Sequence, residues 1–253
     1  MSRSREILAL IPARGGSKSI PRKNLRLVAG KSLIAHSIEH ARGSHVITRV
    51  MVSTEDPEIA QVAKQWRAEV PFFRPVELAA DETPDLPVFQ HALNWLHQHE
   101  RYVPDVVVHL RPTAPIRRVE TIDRAIRTFL AHPDADSLRS VSLASQNPYK
   151  MWVIASDGYL EPVVRLADGR ESWNQPRQSL PRAYWQNSYL DLTRPTVILR
   201  VGSMTGRHIL PFVVDEPCVE IDYADQLALA KRLLEDSQPH APEAIPSAER
   251  FPS

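Results

Sequence analysis

The sequence predicts an α/β fold, a Rossmann-like, mostly parallel sheet with helices on both faces and an inserted dimerisation arm. Three observations carry this reading. Short β-rich apolar runs alternate with segments of helical period. The first such run, Ile7-Leu-Ala-Leu-Ile11, passes at once into a basic glycine loop. At 253 residues the chain is also long enough to bury a full core without staples.

The elements follow in chain order. Strands are predicted at 7–12, 49–53, 106–110, 137–143 and 197–201, with a short late run near Val213. Between them, residues 32–41 set Leu33, Ile34, Ser37, Ile38 and Ala41 at helical spacing. Residues 56–66 follow Ser53-Thr-Glu with an acidic first turn, and 85–98 and 119–130 repeat the helical pattern. Each helix returns the chain to another parallel strand, and ligands of such sheets lie outside the carboxyl ends of the strands. The stretch 147–187 breaks the rhythm. It holds Trp152, Trp173 and Trp185, several prolines and no long helical period, so it reads as an arm inserted into a single domain spanning 1–236. Aromatic density of that kind calls for a partner surface, and subunit association is expected. Prolines interrupt 237–253, which is expected to form a disordered tail.

Composition excludes several function classes. Lys and Arg total 31 against 30 Asp and Glu, a net charge of +1, so neither a nucleic-acid surface nor a membrane patch is expected, and any positive field must be local. The single cysteine, Cys218, rules out an intramolecular disulfide or a cysteine zinc site and suits a cytoplasmic protein. Its setting, Pro217-Cys-Val-Glu-Ile221, reads as an ordinary strand. The apolar run after the polar Met1–Glu6 is too short for a signal segment or a membrane span. His36 and His40 lie four apart on a helix with no third ligand in sight and are expected on its surface. Ser17, Ser19 and Ser188 lack the His and acid partners of an acyl-transfer triad.

The loop after the first run carries the chemistry. Gly15, Gly16 and Ser17 sit among Arg14, Lys18, Arg22 and Lys23. Glycines allow successive backbone N–H groups to point into one concavity, a nest for anionic oxygens, while the cations neutralise phosphate charge. The loop matches neither the Walker A pattern nor the dinucleotide fingerprint.

Beyond this loop stands an ordered series of motifs. They are Ile11-Pro-Ala-Arg-Gly-Gly-Ser-Lys-Ser-Ile-Pro-Arg-Lys-Asn24, Ser53-Thr-Glu-Asp56, Arg74-Pro-Val-Glu-Leu-Ala79, Leu110-Arg-Pro-Thr-Ala-Pro-Ile-Arg117, Asn147-Pro-Tyr-Lys150, Gln175-Pro-Arg-Gln178 and Glu220-Ile-Asp222. With them, residues 6–234 resemble the acylneuraminate cytidylyltransferase family, which includes CMP-sialic acid synthetase and relatives acting on legionaminic and similar nonulosonic acids. The resemblance implies transfer of CMP from CTP to the anomeric hydroxyl of a sugar acid, with pyrophosphate as leaving group, in a homodimer with shared sites. It implies that Arg14, Lys23 and Asp222 are catalytic. It further implies that Gly15, Gly16, Ser17, Asn24, Arg74, Asp85 and Arg111 lie with Arg14 and Lys23 around the nucleotide. A surface ion pair with Glu77 is the alternative for Arg74. Lys150, Arg177, Gln178 and Asn187 are implied to bind the sugar acid, and Asp222 with Glu220 to hold Mg²⁺. Two carboxylates two residues apart on an extended segment share a side, which suits one ion.

The chain departs from the family at several positions. Glu220 stands where aspartate is usual, Arg111 where glutamine is common, and Ser188-Tyr-Leu-Asp191 replaces a Gly-containing segment. Asp81-Glu-Thr-Pro-Asp85 lacks the serine-rich form. These departures leave two alternatives open: a cytidylyltransferase for another acid, such as an octulosonic acid or a phosphonate, or a non-catalytic CTP-binding regulator.

Overall fold

The computed structural model describes residues 4–236, so the tail expected at 237–253 lies outside the described residues. In chain order, β1 (Ile7–Pro12) leads through the basic loop to a small antiparallel ribbon of β2 (Leu27–Val28) and β3 (Lys31–Ser32). Then come α1 (Leu33–Gly43), β4 (Arg49–Ser53), α2 (Pro57–Gln65), α3 (Asp85–Glu100), β5 (Val106–His109), α4 (Val119–Leu130) and β6 (Ser137–Leu143). The hairpin of β7 (Trp152–Ile154) and β8 (Leu160–Pro162) precedes β9 (Tyr184–Thr193), β10 (Ile209–Val213) and α5 (Ala224–Asp236).

The main sheet runs β10-β6-β9-β5-β1-β4. All its pairings are parallel except those of β9, which runs antiparallel to both β5 and β6. β1 is apolar on both faces because helices cover both. Ile7, Ala9 and Ile11 pack with Ile34 and Ile38 of α1 and Ile122, Ile126 and Phe129 of α4. Leu8 and Leu10 point the other way, to Phe89 and Leu93 of α3. Period-two alternation thus splits one apolar run between two layers. α5 closes a third, smaller cluster in which Ala230 meets Val28, Leu33 and Ile221.

Three expectations are corrected. Residues Val197–Val201 form a single π-helical turn, not a strand. The β-branched run is drawn out of the sheet because Pro195 ends pairing after β9, and burial of Val197 and Ile198, with Gln90 Nε2 donating to the Ile198 carbonyl at 3.0 Å, supplies its stabilisation. Gly202, at φ 67°, closes the turn in a conformation few side chains accept. The strand that does fill the sheet is the ten-residue β9, whose first residues belong to the region read as arm. Its alternation is hidden by a bulge. Pairing jumps from Arg139 opposite Asp191 to Val141 opposite Gln186, and Ser188 takes φ 57°. Finally, His36 is buried, not on the helix surface, because the ribbon covers α1 there. Its Nε2 lies 2.8 Å from the Val28 carbonyl oxygen, and burial lowers its pKa.

Cys218 lies in irregular chain after β10, half-buried, and burial pushes its thiol up to about 11, which disfavours the reactive thiolate. In the arm, the hairpin leaves Val153, Ile154, Tyr159 and Leu160 exposed, as are Tyr184 and Trp185 at the start of β9.

Leu190, fully buried in β9, tests the central place of that strand. Leu190→Ala is expected to cost about 2–5 kcal/mol in urea unfolding; a loss below about 1 kcal/mol would place β9 outside the packed core.

Candidate active site

β1, β4 and β5 end on the same side of the sheet, and the segments leaving them enclose a cleft of about 200 Å³. Arg14, Gly16, Ser17, Lys23 and Asn24 line one side. Arg74, Leu78, Ala80 and Val88 line another, and Asp85, His109, Arg111 and Thr113 complete it. The sheet topology puts this cleft at the carboxyl ends of its parallel strands, where ligands of such folds bind.

The basic loop is held by carboxylates from the next strand-to-helix turn. The Gly15 N–H donates to Glu55 Oε1 at 2.6 Å, and Glu55 Oε2 accepts from Arg74 Nη2 at 3.2 Å. Asp56 caps α2, accepting from the Glu58 and Ile59 N–H groups at 3.0 Å, while also pairing with Arg22. Arg22 itself sits at φ 57° and reaches Glu58 at 2.5 Å. A side chain on Gly15 would strike Asp56, so this close approach requires glycine. Asn24 Nδ2 donates to the Arg14 carbonyl at 2.9 Å, which makes it a brace of the loop as well as a lining residue.

Every lining cation has an internal anionic partner. Arg14 and Lys18 meet Asp81 at 2.5 and 2.7 Å, and these contacts hold the Asp81 carboxyl below its usual range. Lys23 Nζ donates to the Ile221 carbonyl at 2.9 Å and to Asp222 at 3.0 Å. Arg74, only 5% exposed, pairs with Glu55 and not with Glu77, and burial lowers its pKa. Arg111 spans Asp191 at 2.6 Å and Asp85 at 3.1 Å, and Arg139 also reaches Asp191, at 2.9 Å.

The remaining predicted residues are more dispersed. Glu220 accepts from Ser188 Oγ at 2.8 Å, whereas Asp222 turns to Lys23, so the two carboxylates have different partners. Lys150 Nζ donates to the Trp173 carbonyl at 3.3 Å within the arm. Arg177 and Gln178 line a second cavity at the arm's base, with Asn147 and Arg182, away from the first cleft. Asn187 is fully buried; its Oδ1 accepts from the Tyr189 N–H and its Nδ2 donates to Ser142 Oγ, so its amide braces the bulge of β9. Sequence reasoning missed Glu55, Asp81, His109 and Asp191. Of these, His109 carried a usable signal, a titratable side chain at the carboxyl end of a parallel strand.

Comparison with protein families matches residues 8–237 to one described as Cytidylyltransferase. Among curated proteins, the chain is 41% identical to the CMP-N,N'-diacetyllegionaminic acid synthase of Legionella pneumophila, over 92% of this chain and 97% of that one. It is 33% identical to the protein of the same name from Campylobacter jejuni, over 83% and 87% of the two chains. Among solved structures, a CMP:2-keto-3-deoxy-manno-octonic acid synthetase complexed with CTP superposes with a TM-score of 0.67 at 18% identity, covering 92% of this chain and all of that one. At that identity the likeness speaks for the fold.

The Arg22 contact holds the Asp56 carboxyl below its usual range, so the ionised form stabilises the fold at neutral pH and that contribution fades as acid protonates it. Asp56→Ala is expected to cost about 1–2 kcal/mol near neutrality, through cap and pair together. The deficit should shrink as pH falls through the carboxylate range in denaturant titrations; a deficit constant with pH would show that the charge contributes nothing.

Proposed function

Because this chain belongs to the cytidylyltransferase family, we propose that it transfers CMP from CTP to the anomeric hydroxyl of a nonulosonic acid of the legionaminic or sialic type, releasing pyrophosphate. The observation that carries the reading is the single cleft in which Arg14, Lys23 and the Gly16 and Ser17 segment meet Arg74 and Asn24. The reaction needs in-line positioning and stabilisation of charge on the leaving pyrophosphate more than it needs a protein nucleophile. Arg14 offers a fork for bidentate phosphate binding, and the loop N–H groups add fixed donors. Lys23, held by Ile221 and Asp222 at the cleft edge, is the point charge placed to meet negative charge developing on the leaving group. Arg74, Asp85 and Arg111 complete the nucleotide side.

Mg²⁺ is part of the proposal. Asp222 is half-exposed beside Lys23, and Glu220 lies two residues before it. Among the described residues no group of three or more His, Cys, Asp or Glu side chains could hold a metal. Such a donor set fits an ion that one or two carboxylates share with substrate phosphates, the habit of Mg²⁺. When bound, Mg²⁺ supplies charge neutralisation on the triphosphate.

A homodimer completes the acid side in this reading. Lys150, Arg177 and Gln178 belong to the arm, and the exposed Ile154, Tyr184 and Trp185 give it an apolar face suited to a second copy of the chain. The cations would then meet the carboxylate of the acid from across the interface. Asn187 shapes β9 beneath them. We place the reaction in the cytoplasm, consistent with the single unpaired cysteine.

Pyrophosphate release with Mg²⁺, each of the four nucleoside triphosphates and legionaminic, N-acetylneuraminic and octulosonic acids tests the reading: release confined to CTP with a nonulosonic acid is expected. CTP binding without release for any acid would favour a non-catalytic role. Lys23→Ala is expected to lower kcat by about 100-fold while weakening CTP binding less than about fivefold; equal losses would remove Lys23 from the leaving group. Arg177→Ala is expected to raise KM for the acid about tenfold with CTP affinity intact, and an unchanged acid dependence would exclude the arm from the site.

A further inference from the structure

At the floor of the cleft, His109 ends β5 with only 2% of its surface exposed, yet neither ring nitrogen has a hydrogen-bond partner. It is packed beside the Phe89 ring, centroids 4.6 Å apart. Burial, with Arg111, Arg139 and Arg117 nearby, lowers its pKa well below the usual value, so the ring is neutral and carries one donor and one acceptor. An unpaired donor and acceptor at full burial are costly, and native proteins keep such groups where a ligand or a neighbouring side chain completes them. The nearest candidate is Asp85, whose Oδ2 lies 3.8 Å from His109 Nδ1, about an ångström beyond hydrogen-bond length.

Among the described residues, Asp85 is the only carboxylate that lines the cleft. A carboxylate repels bare phosphate oxygens, so the part of the nucleotide that meets it is best a neutral donor. The loop cations fix the phosphate end, and Leu78, Ala80 and Val88 form the apolar wall suited to a base. What lies between phosphates and base is the ribose, whose hydroxyls are donors that acidic side chains take in other nucleotide-binding folds. Arg111 and His109 both approach Oδ2 of Asp85, which leaves Oδ1 its accepting capacity.

We propose that Asp85 accepts a hydrogen bond from the ribose 2′-hydroxyl of the nucleotide and that His109 is its positioning residue, donating Nδ1–H to Asp85 and so setting the preference for ribonucleotide over deoxyribonucleotide. This rests on the nucleotide occupying the cleft as proposed above. His109 is level with Asp191 of β9 and, through it, with Arg139 of β6, so the imidazole stands on three adjacent strands and cannot follow a misplaced ligand. Arg111, held between Asp85 and Asp191, fixes the carboxylate from the other side.

Calorimetric titration of the full chain with CTP, dCTP and UTP tests the proposal. The natural protein is expected to bind CTP about 10-fold or more tightly than dCTP, the value of a hydrogen bond to a charged acceptor. His109→Leu should reduce that ratio to less than about threefold while raising or preserving Tm, because it removes an unpaired buried polar ring. His109→Gln, which restores a donor, should recover part of the ratio, and Asp85→Asn should lower it. Equal binding of CTP and dCTP by the natural protein, or an unchanged ratio in His109→Leu, overturns the proposal. So does a His109→Leu variant whose CTP to UTP ratio moves while its CTP to dCTP ratio stays fixed, since the pair would then read the base. No CTP binding at all would overturn the nucleotide reading itself.

Discussion

The buried guanidinium of Arg117 ties together β9, α1 and the loop after β5. Its Nε donates to the Tyr189 carbonyl of β9, one terminal nitrogen to Ser37 Oγ of α1 at 3.1 Å, and the other to the Arg111 carbonyl at 2.8 Å. At 6% exposure the cation is costly to bury, and its pKa is pulled down to about 10 by that burial. Planar donors satisfied on three sides offset the cost and fix the loop after β5 against both the sheet and its covering helix. Tyr189 repeats the logic at the same junction, taking the Arg118 N–H and donating to Glu216. The wall of the cleft that carries Arg111 and Thr113 is rigid because of this knot.

Around that fixed wall, the charge of the cleft is balanced internally. Asp81, Asp222, Glu55, Asp85 and Asp191 stand against Arg14, Lys18, Lys23, Arg74 and Arg111. In the reaction proposed above, a triphosphate would exchange partners with these carboxylates instead of entering an open positive field. The two exposed bridges of Asp81 cost little to break, whereas the buried Arg74 to Glu55 pair has a far larger penalty for separation. The gradient separates cations free to move from cations that hold shape, and the overall charge near zero is its counterpart at the level of composition.

Much of this architecture was legible from residue pattern. The helix over Val119–Leu130 has a strong apolar stripe, and its bounds coincide with those expected. β1 was equally plain, whereas the basic loop alone reads equally as a solvated turn and took its meaning from the motifs that follow it. The pattern failed where tertiary context overrode it. Val197–Val201 has the composition of a strand but follows Pro195 and is packed as a π-helical turn through Val197 and Ile198, and β9 hides its period behind the bulge at Asn187 and Ser188. The partners of the cations were illegible for another reason: Asp81, Glu55 and Asp191 are ordinary acids in sequence, and only the fold brings them to the cleft.

The antiparallel insertion of β9 carries a mechanical consequence. The exposed Tyr184 and Trp185, and Asp191, which pairs with Arg111, belong to one strand spanning Tyr184–Thr193 that pairs with β6 on both sides of its bulge. The arm is thus the outer end of a lever whose inner end is clamped in the sheet. Between the strand's two paired stretches stands the left-handed Ser188, whose hydroxyl donates to Glu220, while the neighbouring Asn187 accepts from the Tyr189 N–H. The start of β9 in the arm and the acid that steadies Arg111 therefore lie on one strand, joined across its bulge.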